Sequence, residues 1–384
     1  MFRFASILGR LCIGTAAAVS LAALGCSDAR KPADPVAAPT PRPAAEASRK
    51  PSRLIFVTNG DDPFWDACLS GLKEGERRFG CEAAGLTVSR DVNNGTAEGQ
   101  IERLRQYATQ DDIAGVAISV IQADNQSIVE EMRKLRSKGV KVITVDGDVN
   151  RDTFRDARSF YIGTDNVVGG RTLGTATRAL LEARAAKEGG YVQFAGFTDN
   201  DNARSRMNGV KEAIGSAYAE RDRMADEMDL PRARDNVRNA TQNHKDLVAL
   251  VGIWAYNAPA IADVVTESDT RDRYVVATFD AQDLAIGHME KGNIDVMVVQ
   301  NPFEMGVQTV RLLKGMIEQD EGVVAEMFPR SGQPDGDIFT TGLRVVVPDA
   351  SSPVRADLFD PQVVEFMTLP DFKAWLATYH LTSS

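Results

Sequence analysis

From Arg53 onward the chain alternates short apolar runs with stretches whose apolar residues recur at helical spacing. The runs at 54–57, 116–121 and 140–145 are nearly continuous, as in parallel strands buried on both faces. Shorter runs at 86–89 and 159–162 fit two more strands. Between them a helical period passes through Trp65, Cys68, Leu69, Leu72 and Phe79. It returns through Ile101, Leu104 and Ala108, and again through Ile128, Met132 and Leu135. Gly80 and Gly139 punctuate helix ends.

A second series opens at Thr164-Asp165-Asn166, whose cap residues precede a helix through Leu173, Ala176, Leu180 and Ala183. It continues with strands at 191–195, 248–253, 274–279 and 294–299 and helices near 203–217, 258–266, 282–291 and 303–318. A last strand is expected at 343–347, and the tail ends in an amphipathic helix with Phe372, Trp375, Leu376 and Tyr379. Such alternation predicts right-handed βαβ units and doubly wound parallel sheets. About ten strands are too many for one open sheet, so two α/β lobes are expected.

In open α/β sheets ligands sit beyond the carboxyl ends of the strands, which makes the residues there candidates. Thr58-Asn59-Gly60-Asp61-Asp62-Pro63-Phe64-Trp65 joins the first strand to the first helix. Asp62 supplies acceptors, while Phe64 and Trp65 supply flat apolar faces, the combination that a polyhydroxylated ring needs. The structural alternative is a capped helix whose rings lie in the core. Ser119, Asp146, Tyr256, Asn257, Asp280 and Gln300 stand at later strand ends, and Arg206 follows the 191–195 strand. Each alone reads as a cap or turn residue; together they describe a polar crevice.

The chain has 384 residues, 43% of them hydrophobic, enough for two ordinary cores. A net charge of −10 and a pI near 5.0 leave no basic face to replace phosphate counterions, which excludes nucleic-acid binding. At the N-terminus Arg3 and Arg10 flank an apolar stretch, and residues 11–24 carry no charge before Gly25-Cys26. This resembles a bacterial lipoprotein signal, departing from it at Ala23 and Leu24. Cleavage would leave Cys26 lipidated, with residues 1–25 as signal and the Pro- and Ala-rich 26–52 as an extended tether. Cys68 and Cys81 bracket a predicted helix. On a continuous helix their Cα atoms would stand about 20 Å apart at about 1.5 Å per residue. That is too far for a disulfide, so both read as buried small hydrophobes.

Residues 53 to about 349 resemble the ribose-type periplasmic sugar-binding proteins of ABC importers. The likeness is carried by Asp62-Pro63-Phe64-Trp65, Val142-Ile143-Thr144-Val145-Asp146 and the segment Ile162 to Gly170. Ala203-Arg204-Ser205-Arg206, Thr278-Phe279-Asp280 and Gln300-Asn301-Pro302 continue it in order. The resemblance implies a type I periplasmic binding protein fold, two doubly wound lobes joined by a three-segment hinge. The first lobe would comprise 53–164 and 301–340, the second 165–300 and 341–349, with 350–384 as an extension docked on a lobe. Asp62, Phe64, Trp65 and Asp146 would contact ligand from the first lobe; Arg206, Asp280 and Gln300 would close from the second lobe and hinge. Thr58 and Ser119 carry over less directly, and Tyr256 or Asn257 fills a position usually held by Asn or Asp. The chain departs from the ribose pattern at Asp62, usually Asn, and at Gly147, usually Arg. Trp254 to Pro259 replaces a common Asn-Asp segment. These changes argue against ribose itself and leave a sugar or polyol.

The implied protein is a monomeric, extracytoplasmic lipoprotein that works with an inner-membrane ABC permease and uses no cofactor. Four alternatives stand beside it. An enzyme is disfavoured because His244, His288 and His380 neighbour no nucleophile motif and no Walker lysine is present. A calcium loop at Asp146 to Ala157 lacks the sixth-position Gly and twelfth-position Glu. A regulator of the lac-repressor type would need a helix-turn-helix before Arg53, where an export signal stands instead. A sensor serving a chemoreceptor or histidine kinase shares the same pocket and stays open.

Overall fold

The computed structural model describes residues 52–384; the expected signal, tether and lipidated Cys26 lie outside the described residues. The first series runs β1 (Ser52–Val57), α1 (Phe64–Arg78), β2 (Leu86–Asp91), α2 (Ala97–Tyr107), β3 (Ile113–Ile118), α3 (Gln126–Ser137), β4 (Lys141–Val145), α4 (Arg151–Phe154) and β5 (Tyr161–Gly163). The second runs α5 (Asn166–Ala183), β6 (Gly189–Ala195), α6 (Asp201–Ile214), β7 (Tyr218–Ala225), α7 (Leu230–Asn243), β8 (Leu247–Gly252), α8 (Asn257–Glu267), β9 (Val275–Phe279), α9 (Asp283–Glu290) and β10 (Val296–Val299). Then come α10 (Pro302–Glu318), α11 (Glu321–Met327), β11 (Ile338–Thr340), β12 (Leu343–Val347), β13 (Val364–Thr368) and α12 (Leu369–Thr378).

Two sheets result, ordered β11-β5-β4-β3-β1-β2 and β13-β12-β10-β9-β8-β6-β7. Each carries the doubly wound order 2-1-3-4-5 within its own series. Every pairing between these strands is parallel except β10 with β12. The central strands explain themselves: Leu54 to Val57, and all of β9 and β10, are fully buried, as a sheet covered by helices on both faces requires. Polar caps start the helices: Thr96, Asn125, Asp165 and Asn301 each accept a first-turn amide hydrogen bond.

The chain passes between sheets three times, at 164–165, 300–301 and 341–342. These crossings are bonded side by side. Thr341 N donates to the Gly163 carbonyl at 2.8 Å, and Gln300 Nε2 donates to Thr164 Oγ1 at 2.8 Å.

β7, α4, α7, α11, β11 and β13 are absent from the sequence reading. β7 is an edge strand whose Glu220-Arg221-Asp222-Arg223 segment faces solvent or ion-pair partners, so its sequence shows no apolar run. α1 ends at Arg78, before Cys81, and both cysteines are free and buried. The tail is not merely docked. β13 pairs in parallel with β12, Phe372 and Leu376 enter the core, and Ser384 exchanges backbone hydrogen bonds with Ala281 at 3.0 and 3.2 Å. Trp375 receives the Arg344 guanidinium at 3.9 Å and, with Tyr379, packs its ring on Phe303 at the start of α10.

α1 and α10 cross in backbone contact at glycine. A Cβ on Gly306 would overlap the Cys68 carbonyl oxygen, and one on Gly71 the Phe303 carbonyl oxygen. Gly306→Ala should therefore cost about 1–3 kcal/mol in urea denaturation. Gly287→Ala, in α9 with nothing near its would-be Cβ, should be neutral or stabilising by up to about 1 kcal/mol. Equal effects would refute the close-crossing explanation.

Candidate ligand-binding cleft

The loop after β1 is tied down by its own polar groups. Thr58 is buried; its hydroxyl donates to the Gly60 carbonyl at 2.7 Å and accepts from Asn93 N at 3.0 Å. Asn59 Oδ1 accepts from Trp65 Nε1 at 3.1 Å. Trp65 is only 3% exposed and packs its ring on Phe56 at 5.4 Å and edge-on to Phe64 at 4.9 Å. It belongs to the first-lobe core, while Phe64 is half-buried. Asp62 stands at the exposed loop edge, where one oxygen accepts from Phe64 N at 2.9 Å. Ser119, buried at the end of β3, accepts from Gly147 N at 3.2 Å and so fixes the loop after β4.

Asp146 and Asp280 are matched residues of the two sheets. Each directly follows a central parallel strand, β4 or β9. Each donates its amide to the neighbouring strand, at 2.9 Å to Ile162 O and 2.8 Å to Val298 O. Both adopt left-handed backbone, φ 62° and 60°, a conformation that Asp tolerates better than most residues. Gln300 links them. Its backbone N donates to Asp280 Oδ1 at 3.2 Å, and its side chain reaches Asp146 Oδ1 at 3.4 Å. Arg206, on α6 and 3% exposed, is held by Asn166 Oδ1 at 2.9 Å and the Ile253 carbonyl at 3.2 Å. It lies 4.5 Å over the Phe279 ring and 3.8 Å from Asp280 Oδ2.

Asp146, Arg206, Asp280 and Gln300 thus form one contiguous polar group, and the Asp62 carboxylate repels both aspartates from the loop after β1. Burial pushes the Asp280 carboxyl up to about 6, against the pull of Arg206, with Asp146 and Asp62 adding repulsion. Burial also raises Asp146, opposed by Arg206 and Gln300 and reinforced by Asp62. Desolvation raises Asp62, offset by its bond to Phe64 N.

Tyr256 and Asn257 have a different engagement. The Tyr256 hydroxyl donates to one oxygen of Asp226 and Asn257 Nδ2 to the other, the latter at 2.9 Å, while Asn257 Oδ1 accepts from Trp254 N at 3.0 Å. Asp226 is fully buried at the end of β7 and was missed because β7 was. Thr164 was also missed as a bonding partner; its place at the first lobe crossing was the available signal. Asp148, two residues from Asp146, turns instead to Arg151 and buried Arg158. Among the described residues no group of three or more His, Cys, Asp or Glu could hold a metal ion, and no helix is long and apolar enough to cross a membrane. A largely apolar depression between α10 and α11, lined by Met316, Val324 and Phe328, includes none of these residues.

A carboxyl whose folded value lies above its unfolded one costs stability above that value and recovers it below the unfolded value. For Asp280, with folded pKa about 6 against an ordinary 3.8, ligand-free stability should fall as pH rises from about 4 to about 6. The contribution is on the order of 1–3 kcal/mol. Asp280→Asn, which still tolerates left-handed backbone, should flatten that slope in urea titrations across this range. An unchanged slope would refute the assignment.

Comparison with known proteins agrees with this architecture. The sequence matches the family model described as periplasmic binding protein domain over residues 54–321. No curated protein matches the chain by sequence. An ABC transporter solute-binding protein from Burkholderia graminis, solved with D-arabinose, superposes with TM-score 0.64 at 23% identity, covering 78% of this chain and 96% of its own. A sugar-binding protein of a Bacillus halodurans sugar ABC transporter gives TM-score 0.65 at 17% identity, covering 78% and 97%. A chain of the XylFII–LytSN complex gives 0.58 at 20%, covering 70% and 94%. With the match spanning most of the chain and the two-lobed fold alike, this protein belongs to the periplasmic binding protein family, with the type I fold.

Proposed function

We propose that this chain is an extracytoplasmic solute-binding protein that captures a sugar or related polyol between its lobes and delivers it to an ABC importer. The observation that carries the reading is the bridge at the lobe crossings. Gln300 joins Asp146 of the first sheet to Asp280 of the second and to Thr164 between them. Acceptors and donors from both sheets therefore meet where closure would remove water. Charge-assisted hydrogen bonds gain most there, because each unpaired buried carboxylate oxygen is costly. Binding then shifts the population toward the closed lobes, the form that a permease would recognise. The family's fold is a substrate-binding one, which supports capture rather than catalysis. The apolar stretch before Gly25-Cys26 supports export and a lipid anchor at Cys26.

A sensing role is the second reading. It is favoured by the likeness to a chain of the XylFII–LytSN complex and to the XylFII molecule itself.

A thermal-shift screen of pentoses, hexoses and inositols tests the binding reading. A ligand at a hundred times its Kd should add about 2.7 kcal/mol of stability. Asp146→Ala and Asp280→Ala should abolish the shift, whereas Trp65→Ala should also cost core stability of about 3–5 kcal/mol. Full shifts in both Asp variants would place the ligand elsewhere.

A further inference from the structure

The polar group in the cleft is unbalanced in charge. Asp62, Asp146 and Asp280 bring three carboxylates, against one guanidinium from Arg206. Neighbouring cations are already committed: Arg90 to Asp66 at 2.8 Å, and Arg151 and Arg158 to Asp148, both at 2.8 Å. The loop after β4 has no space for a compensating basic side chain, because a Cβ on Gly147 would lie 2.5 Å from the Val120 carbonyl oxygen.

The carboxylates also keep unused acceptor capacity. Asp280, whose side chain is 9% exposed, uses Oδ1 for the Gln300 amide, while Oδ2 has only the 3.8 Å ion pair with Arg206 and no hydrogen bond. Asp146 uses one oxygen for Gln300 and Asp62 one for Phe64 N. A neutral ring would supply hydroxyl donors and leave two net negative charges desolvated on closure, which is costly. A protonated amine offers three donors and cancels one of those two charges in one group.

We propose that the cleft selects a polyol bearing a protonated amine, an amino sugar or aminocyclitol, with the ammonium placed among Asp62, Asp146 and Asp280 and Arg206 directed to ring hydroxyls. This rests on the reading of the cleft as a polyol site. The half-buried Phe64 ring at its edge remains available to the C–H face of the same ring.

Isothermal titration of the purified protein at neutral pH tests this with D-glucosamine, D-galactosamine and scyllo-inosamine. Each is compared with its neutral hydroxyl parent, and the two amino sugars also with their N-acetylated forms. At least one amine should bind about tenfold or more tightly than its neutral counterparts, as charge-assisted bonding implies. Asp62→Asn should shrink that ratio several-fold. If neutral parents bind as tightly as the amines, the charge inference fails while the sugar-binding reading stands. If no polyol binds, charged or neutral, both fail. Amine selectivity unaltered by Asp62→Asn would overturn the assignment of the ammonium to this group.

Discussion

The contact on which the rest depends is the side-chain amide of Gln300. It sits where the second sheet hands the chain back to the first, within reach of Asp146 and Thr164, while its own backbone amide is taken by Asp280. One residue thereby couples both sheets and one of the other crossings. The crossings are short and bonded to one another at Thr341 and Thr164. The lobe closure proposed above would thus be confined to a few backbone torsions rather than spread through the packed cores.

The two strand-end aspartates show how the cleft is charged. Each adopts left-handed backbone directly after its strand, and Gln300 hydrogen-bonds both carboxylates. That geometry removes water from both and brings them near Arg206 and near each other. The resulting rise in proton affinity at both carboxyls is a cost borne by the folded state. Such costs persist where surrounding structure over-determines the conformation. Here the amides donated to Ile162 and Val298 hold both residues in place.

Support for the cleft comes from far behind it. α10 starts just after the crossing at 300–301, presses on α1 at Gly306, and meets Trp375 and Tyr379 of the tail at Phe303. The tail in turn adds β13 to the second sheet and ends on Ala281, beside Asp280. A segment beyond the domain match at 54–321 thus braces both the root of the crossing and the loop that carries a cleft carboxylate.

Local pattern alone determined the α/β alternation, the buried central strands, the capped helices and the strand-end positions of Asp146, Asp280 and Gln300, because period and punctuation are properties of neighbouring residues. It could not show β7, β11 or β13: edge strands lack the two-sided apolar run, and β7 carries ion-paired charges instead. Nor could it tell that Tyr256 and Asn257 are spent on Asp226, that Trp65 lies in a core, or that Asp148 faces Arg158 while Asp146 faces Gln300. Those outcomes depend on which side chains, distant in the chain, arrive at hydrogen-bonding distance. Only the packing of two sheets across three crossings decides that.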